Sequence, residues 1–278
     1  MYLEHKFVLL WQTALKYNFF WMKELFMKVF CSYDVRYDAF LKAVVKLTID
    51  KYGSQLNINT LEEIELVNKR KYNYITDGKA YIGRIEVTSR LYELLPILDV
   101  EELEDNNEYK LLRKTLYHEL GHINDMTLMP KLYGMMFKDF QNGDVDLYSI
   151  SILLWIEYVA EKRTVGFENV NDMELCDDFV KEKWECSKFE PCLSGSNENF
   201  YDLTKLLPYF IARTANEDIR DQYLDQIENR LVVDYVKEIS IELDNLESKG
   251  TFDDPEVLRR LYEIIDKYFN VFMNRYGK

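Results

Sequence analysis

The run His118-Glu119-Leu120-Gly121-His122 constrains this chain more than any other feature. On a helix, side chains at i and i+4 share one face, so the two imidazoles can reach a single ion. Neutral imidazole nitrogen binds zinc at about 2.0–2.1 Å, and a catalytic zinc keeps one position open for water. Glu119 stands beside the first imidazole, where it can take that water's proton. His118 and His122 are therefore candidate metal ligands and Glu119 a candidate general base. A surface helix that carries these residues by chance is the bland alternative, and the local pattern argues against it. Leu112, Leu116, Leu120 and Ile123 form one apolar helical stripe. Asn106, Asn107 and Glu108 suit a helix start. Gly121 stands mid-helix, where glycine costs about 1 kcal/mol relative to alanine; a backbone passing close to the metal would explain it.

The chain has three histidines, and the remaining one, His5, is remote from the motif. The longer zinc pattern H-E-x-x-H-x-x-G-x-x-H fails, because residue 125 is Asp and residue 128 is Leu. A carboxylate is the expected third ligand, as in two-histidine, one-glutamate sites. The next helix is expected over Leu147 to Thr164. Ile150, Leu154, Glu157, Glu161 and Thr164 fall on one of its faces, so both glutamates continue an apolar stripe. Buried carboxylates without a partner are costly, and two of them one turn apart repel unless a positive group lies near. Zinc with its imidazoles would supply that group. Alternatively, the stripe ends earlier and Glu157 and Glu161 pair with Lys162, Arg163 or solvent.

His118-Glu-Leu-Gly-His122 followed by Glu157-Tyr-Val-Ala-Glu161 resembles the gluzincin metallopeptidases, whose second motif reads E-x-x-x-D or E-x-x-A-[DN]. The residues Leu112 to Tyr117 ahead of the first motif are similar to those of the ImmA/IrrE type of bacterial and phage peptidase. The resemblance covers about a third of the chain. It implies that Glu157 is the zinc ligand and that Glu161 orients a ligand histidine; such carboxylates set the imidazole tautomer and raise its basicity. Glu161 departs from the family's Asp or Asn by one methylene. The stretch from His122 to Glu157 is long for the ImmA/IrrE type.

At 278 residues the chain can bury a full core. The fold class expected is α+β and mostly helical: a zincin-like core with a small mixed sheet, the H-E-x-x-H helix, a second ligand-bearing helix, and extra helices at both ends. Residues 1–170 are expected to form that core and 171–278 a C-terminal helical region. Residues 2–52 read as helices ending near Tyr52-Gly53-Ser54, and Leu61 to Asn68 as a strand. Residues 72–89 read as a hairpin turning at Asp77-Gly78, a short-range turn cue. Its returning strand, Ala80 to Thr88, sets Ile85 and Val87 on one face against Arg84, Glu86 and Thr88 on the other. By the resemblance, this strand is where an extended substrate would pair. Met126, Met129, Met135, Met136, Phe137 and Phe140 are read as ordinary packing. Asp254-Pro255-Glu256 opens a last helix to about Asn274.

The net charge of −14, from 35 basic against 49 acidic residues, disfavours direct nucleic-acid binding or an anionic membrane surface. Cys31, Cys176, Cys186 and Cys192 form no C-x-x-C pair and are expected to be free thiols of a cytosolic protein. The apolar run from Phe7 to Phe30 is interrupted by Lys16, Lys23, Glu24 and Lys28, against both a transmembrane helix and a signal peptide. An amphipathic helical hairpin fits it better. A cytoplasmic location is the expectation. The functional expectation is a zinc peptidase acting on a peptide or protein substrate, with Glu119 as base. The alternative is a catalytically silent zinc-binding regulatory or interaction protein.

Overall fold

The structure is a computed structural model that describes residues 27–32, 35–67, 78–88, 106–142, 146–170, 198–227 and 229–276. It is mostly helical with a small mixed sheet. It divides into two compact units, Met1–Thr127 with Phe167–Val170, and Leu128–Gly166 with Asn171–Lys278. Among the described residues no helix is long and apolar enough to cross a membrane.

The first unit carries the sheet. Its strands are β1 (Lys28–Cys31), β2 (Glu63–Val67), β3 (Gly78–Tyr81) and β4 (Arg84–Thr88), in the order β1-β2-β4-β3. β1, β2 and β4 run parallel, and β3 pairs antiparallel with β4 at one edge. Helix α1 (Asp38–Tyr52) and helix α2 (Asn107–Leu128) supply the helical part. Ile64, Leu66, Ile85 and Val87 are fully buried and pack with Leu41, Val44 and Val45 of α1 and with Leu112, Leu116, Leu120 and Ile123 of α2. Each such side chain contributes roughly 1.5–3 kcal/mol when taken out of water. The opposite sheet face is ionic. Glu65 and Glu86 are register partners across β2 and β4, and like charges so placed repel. Arg84 offsets them, pairing with Glu65, with Glu86 at 2.8 Å and with Glu63 at 3.3 Å.

Two sequence expectations are corrected here. Residues 28–31 are a strand, not the end of a helical hairpin. Lys28 N–H donates to the Glu62 carbonyl at 2.7 Å, and Ser32 N–H to that of Leu66 at 3.1 Å. This pairing is to residues more than thirty positions away, which a local helical pattern does not register; the run Val29-Phe30-Cys31 suits a pleated, half-buried surface. The rest of residues 2–26, His5 included, lies outside the described residues. The hairpin also turns elsewhere. Gly78 begins β3 opposite Val87, and the chain reverses at Ile82-Gly83, with Gly83 at φ +75°. The turn needs a positive φ there, and glycine takes it without steric cost. The strand expected over Ala80 to Thr88 is thus two strands, although the alternation of Ile85 and Val87 against Arg84, Glu86 and Thr88 holds. Residues 72–77 lie outside the described residues.

A short 3-10 turn, Phe167–Asn169, completes the first unit. Glu168 has φ 48°, a left-handed conformation that costs a non-glycine residue on the order of 1 kcal/mol. Its carboxylate offsets that cost by pairing with Arg113 of α2 at 2.8 Å and accepting from Lys51 at 2.9 Å and Tyr52 at 3.1 Å. Phe167 packs against the rings of Tyr52 and Tyr117. Arg113 and Glu168 are both largely buried. Arg113→Met is therefore expected to cost about 3–5 kcal/mol, roughly 10 °C in melting midpoint for a chain of this size. Calorimetry checks this, and a shift below about 2 °C rejects it.

The second unit is helical: α3 (Pro130–Asn142), α4 (Leu147–Thr164), α5 (Glu198–Arg213), α6 (Glu217–Leu224), α7 (Arg230–Ser248) and α8 (Arg259–Tyr276). α4 has the bounds expected from its sequence. Asp146 caps it, accepting from Ser149 N–H at 2.8 Å. Its buried residues include Ile150, Ile152, Leu154, Trp155, Ile156, Tyr158 and Ala160, spread round the whole helix, as befits a core element. Asp254 caps the last segment through Glu256 N–H at 3.1 Å. The first turn there, Pro255–Leu258, is 3-10 before α8 begins. Of the residues read as packing, Met129 and Met136 are buried, whereas Met135 is exposed. Cys31 is buried and is in no disulfide among the described residues; Cys176, Cys186 and Cys192 lie outside the described residues.

Candidate metal centre

Helix α2 presents the first motif. Asn106 caps it, its side chain accepting from Tyr109 N–H at 3.2 Å. The apolar stripe anchors one side of the helix in the sheet core. His118, Glu119 and His122 are held at 7%, 5% and 5% exposure, too buried for a chance surface helix. The imidazoles meet at their Nε2 atoms, 3.0 Å apart, with ring planes 80° from each other.

Glu119 lies against β3. A Cβ built on Gly78 would stand 2.5 Å from Glu119 Oε1 and 2.8 Å from its Cγ, so only glycine admits the carboxylate at this position. Sequence reasoning gave Gly78 a turn role and missed this one. Nothing in its sequence neighbourhood could have placed it beside a residue about forty positions away. Gly121 itself is buried within α2.

Helix α4 presents the two glutamates. Glu161 is 3% exposed and Glu157 is partly exposed. Helix α5 supplies a partner for each. Tyr209 O–H donates to Glu157 Oε2 at 2.6 Å, and Arg213 Nε donates to Glu161 Oε1 at 2.7 Å. Lys162, a possible partner by sequence, instead contacts Glu247 at 3.1 Å and Tyr158 at 3.2 Å. Tyr158 O–H donates to Glu247 at 2.9 Å. Burial, and then that carboxylate, push its phenol well above the usual tyrosine range, so it stays protonated.

One donor atom from each of His118, His122 and Glu157 lies within 4.8 Å of the other two. These three side chains, two imidazoles and a carboxylate, could hold a metal ion. Glu161 stands outside this group. Comparison with protein families, curated proteins and solved structures finds no match to this chain. The likeness to gluzincin peptidases therefore rests on the residues of the two motifs.

Proposed function

We propose that the chain is a zinc-dependent peptidase of gluzincin type, with zinc held by His118, His122 and Glu157. The observation that carries this reading is the convergence of those three donors beside a buried Glu119. The donor set fits the ion: two imidazoles and one carboxylate are a catalytic zinc's ligands. Tetrahedral ligands at about 2.0–2.1 Å stand roughly 3.3 Å apart, close to the 3.0 Å between the two Nε2 atoms. When bound, zinc supplies a water of lowered pKa and polarises a scissile carbonyl. Glu119 is the group that takes the water's proton and returns it to the leaving amine. Its low exposure keeps competing solvent away. β3 lies at the sheet edge beside Glu119. An extended peptide could pair there by backbone hydrogen bonds, which assigns to β3 the role that the sequence reading gave to the whole of Ala80 to Thr88.

The test is peptide hydrolysis by metal-stripped protein before and after addition of one equivalent of zinc, with esters as a parallel substrate panel. Cleavage of peptides only in the zinc-loaded sample is expected. Protein that takes up no zinc, or that cleaves only the esters, rejects the reading.

Gly78→Ala gives a finer check. The group its new methyl meets is the end of a flexible side chain, so Glu119 moves and the fold stays. A displacement near 1 Å can cost about 10²-fold in rate. The expected result is a fall of that order in kcat with zinc content retained and the melting midpoint nearly unchanged. An unaltered kcat would show that Glu119 does not act from this position.

A further inference from the structure

α4 carries two carboxylates one turn apart, Glu157 and Glu161, and the spacing of the chain does not say which should bind a cation. α5 distinguishes them. Its Tyr209 and Arg213 have the same i, i+4 spacing, and each meets one glutamate at 2.6 Å and 2.7 Å respectively. The two partners differ in kind. Arg213 is a cation whose side chain is 16% exposed, and Glu161's is 4% exposed, so their pair is buried and its charges are matched. Tyr209 is neutral, and a neutral hydroxyl fixes a carboxylate without cancelling its charge. We infer that α5 sorts the two carboxylates, Arg213 withdrawing Glu161 from metal binding and Tyr209 acting as the positioning residue that orients the charged Glu157 toward the cation.

This inference rests on the metal site proposed above and adds the reason why Glu157 is its third ligand. A ligand held by a hydrogen bond loses less freedom on binding, and removal of such support commonly costs about 10–100-fold in metal affinity. Removal of Arg213 acts differently. It leaves the Glu161 carboxylate buried without its cation, which destabilises the protein whether or not a metal is bound.

The experiment measures zinc affinity by chelator competition, the visible spectrum of the cobalt-loaded protein, and the melting midpoint of the metal-free protein, for wild type, Tyr209→Phe and Arg213→Met. Tyr209→Phe should bind zinc about 10–100-fold more weakly with a changed cobalt spectrum, yet melt within about 2 °C of wild type when metal-free. Arg213→Met should lower the metal-free midpoint by about 5 °C or more. Should it fail to fold, Tyr209→Phe alone decides. Equal zinc affinity and an identical cobalt spectrum for Tyr209→Phe and wild type would overturn the inference while the metal site stands. Wild-type protein that binds no zinc or cobalt would instead remove the metal site, and the inference with it.

Discussion

Glu119→Gln is expected to abolish peptide cleavage and leave zinc content at one equivalent. Glutamine is nearly isosteric with glutamate, so the carboxamide occupies the same buried place against Gly78 without disturbing the imidazoles on either side. It cannot accept a proton from water at neutral pH. General acid–base groups contribute about 10²- to 10⁴-fold, and Glu119 is assigned both the forward and the return transfer. The loss should therefore fall in kcat, with KM little changed, because the residue acts on the reacting atoms and not on the rest of the substrate. The measurement is a peptide-library assay beside elemental analysis of the same samples. If the variant cleaved peptides at the wild-type rate, another group would have to be the base. If it lacked cleavage yet kept full activity in the cell, the protein would be a zinc-binding regulatory or interaction protein.

Glu157→Ala is expected to lose zinc stoichiometrically, whereas Glu161→Ala should retain it with affinity weakened about 10–100-fold. The difference follows from position. Glu157 is the carboxylate grouped with the two imidazoles, so its removal leaves two ligands where a catalytic zinc needs three. Glu161 is engaged by Arg213, so its removal takes no donor from the group and leaves a partly buried guanidinium without that partner. Elemental analysis and chelator competition on the two variants decide it. Zinc lost from Glu161→Ala and kept by Glu157→Ala would exchange their roles.

Much of the candidate site was legible in the chain because its residues are related by helical geometry. His118 and His122 are one turn apart on α2, as are Glu157 and Glu161 on α4, and a spacing of four has the same meaning in any helix. Asn106 to Glu108 marked the start of α2 and the apolar stripe Leu112 to Ile123 its buried face, and α4 kept the bounds Leu147 to Thr164. Local patterns also marked β2 and β4 as strands, while the small mixed sheet was expected from the zincin-like resemblance. Where an element depended on a distant partner, reading failed. Lys28–Cys31 resembled the end of a helix until β2 supplied its ladder. Asp77-Gly78 looked like a turn until Gly78 was seen to begin β3.

By itself, then, the sequence determined the two helices that carry the candidate ligands and the identity of their chemical groups, and it pointed to a carboxylate as the third donor. Each of these depends on neighbours within one or two helical turns. The tertiary structure alone decided that Tyr209 and Arg213 would attend the two glutamates, that Gly78 would lie against Glu119, and that Glu168 would answer Arg113. Those contacts join residues about forty or more positions apart. No local periodicity encodes them, because they come into being only when the apolar faces of separate elements are buried together.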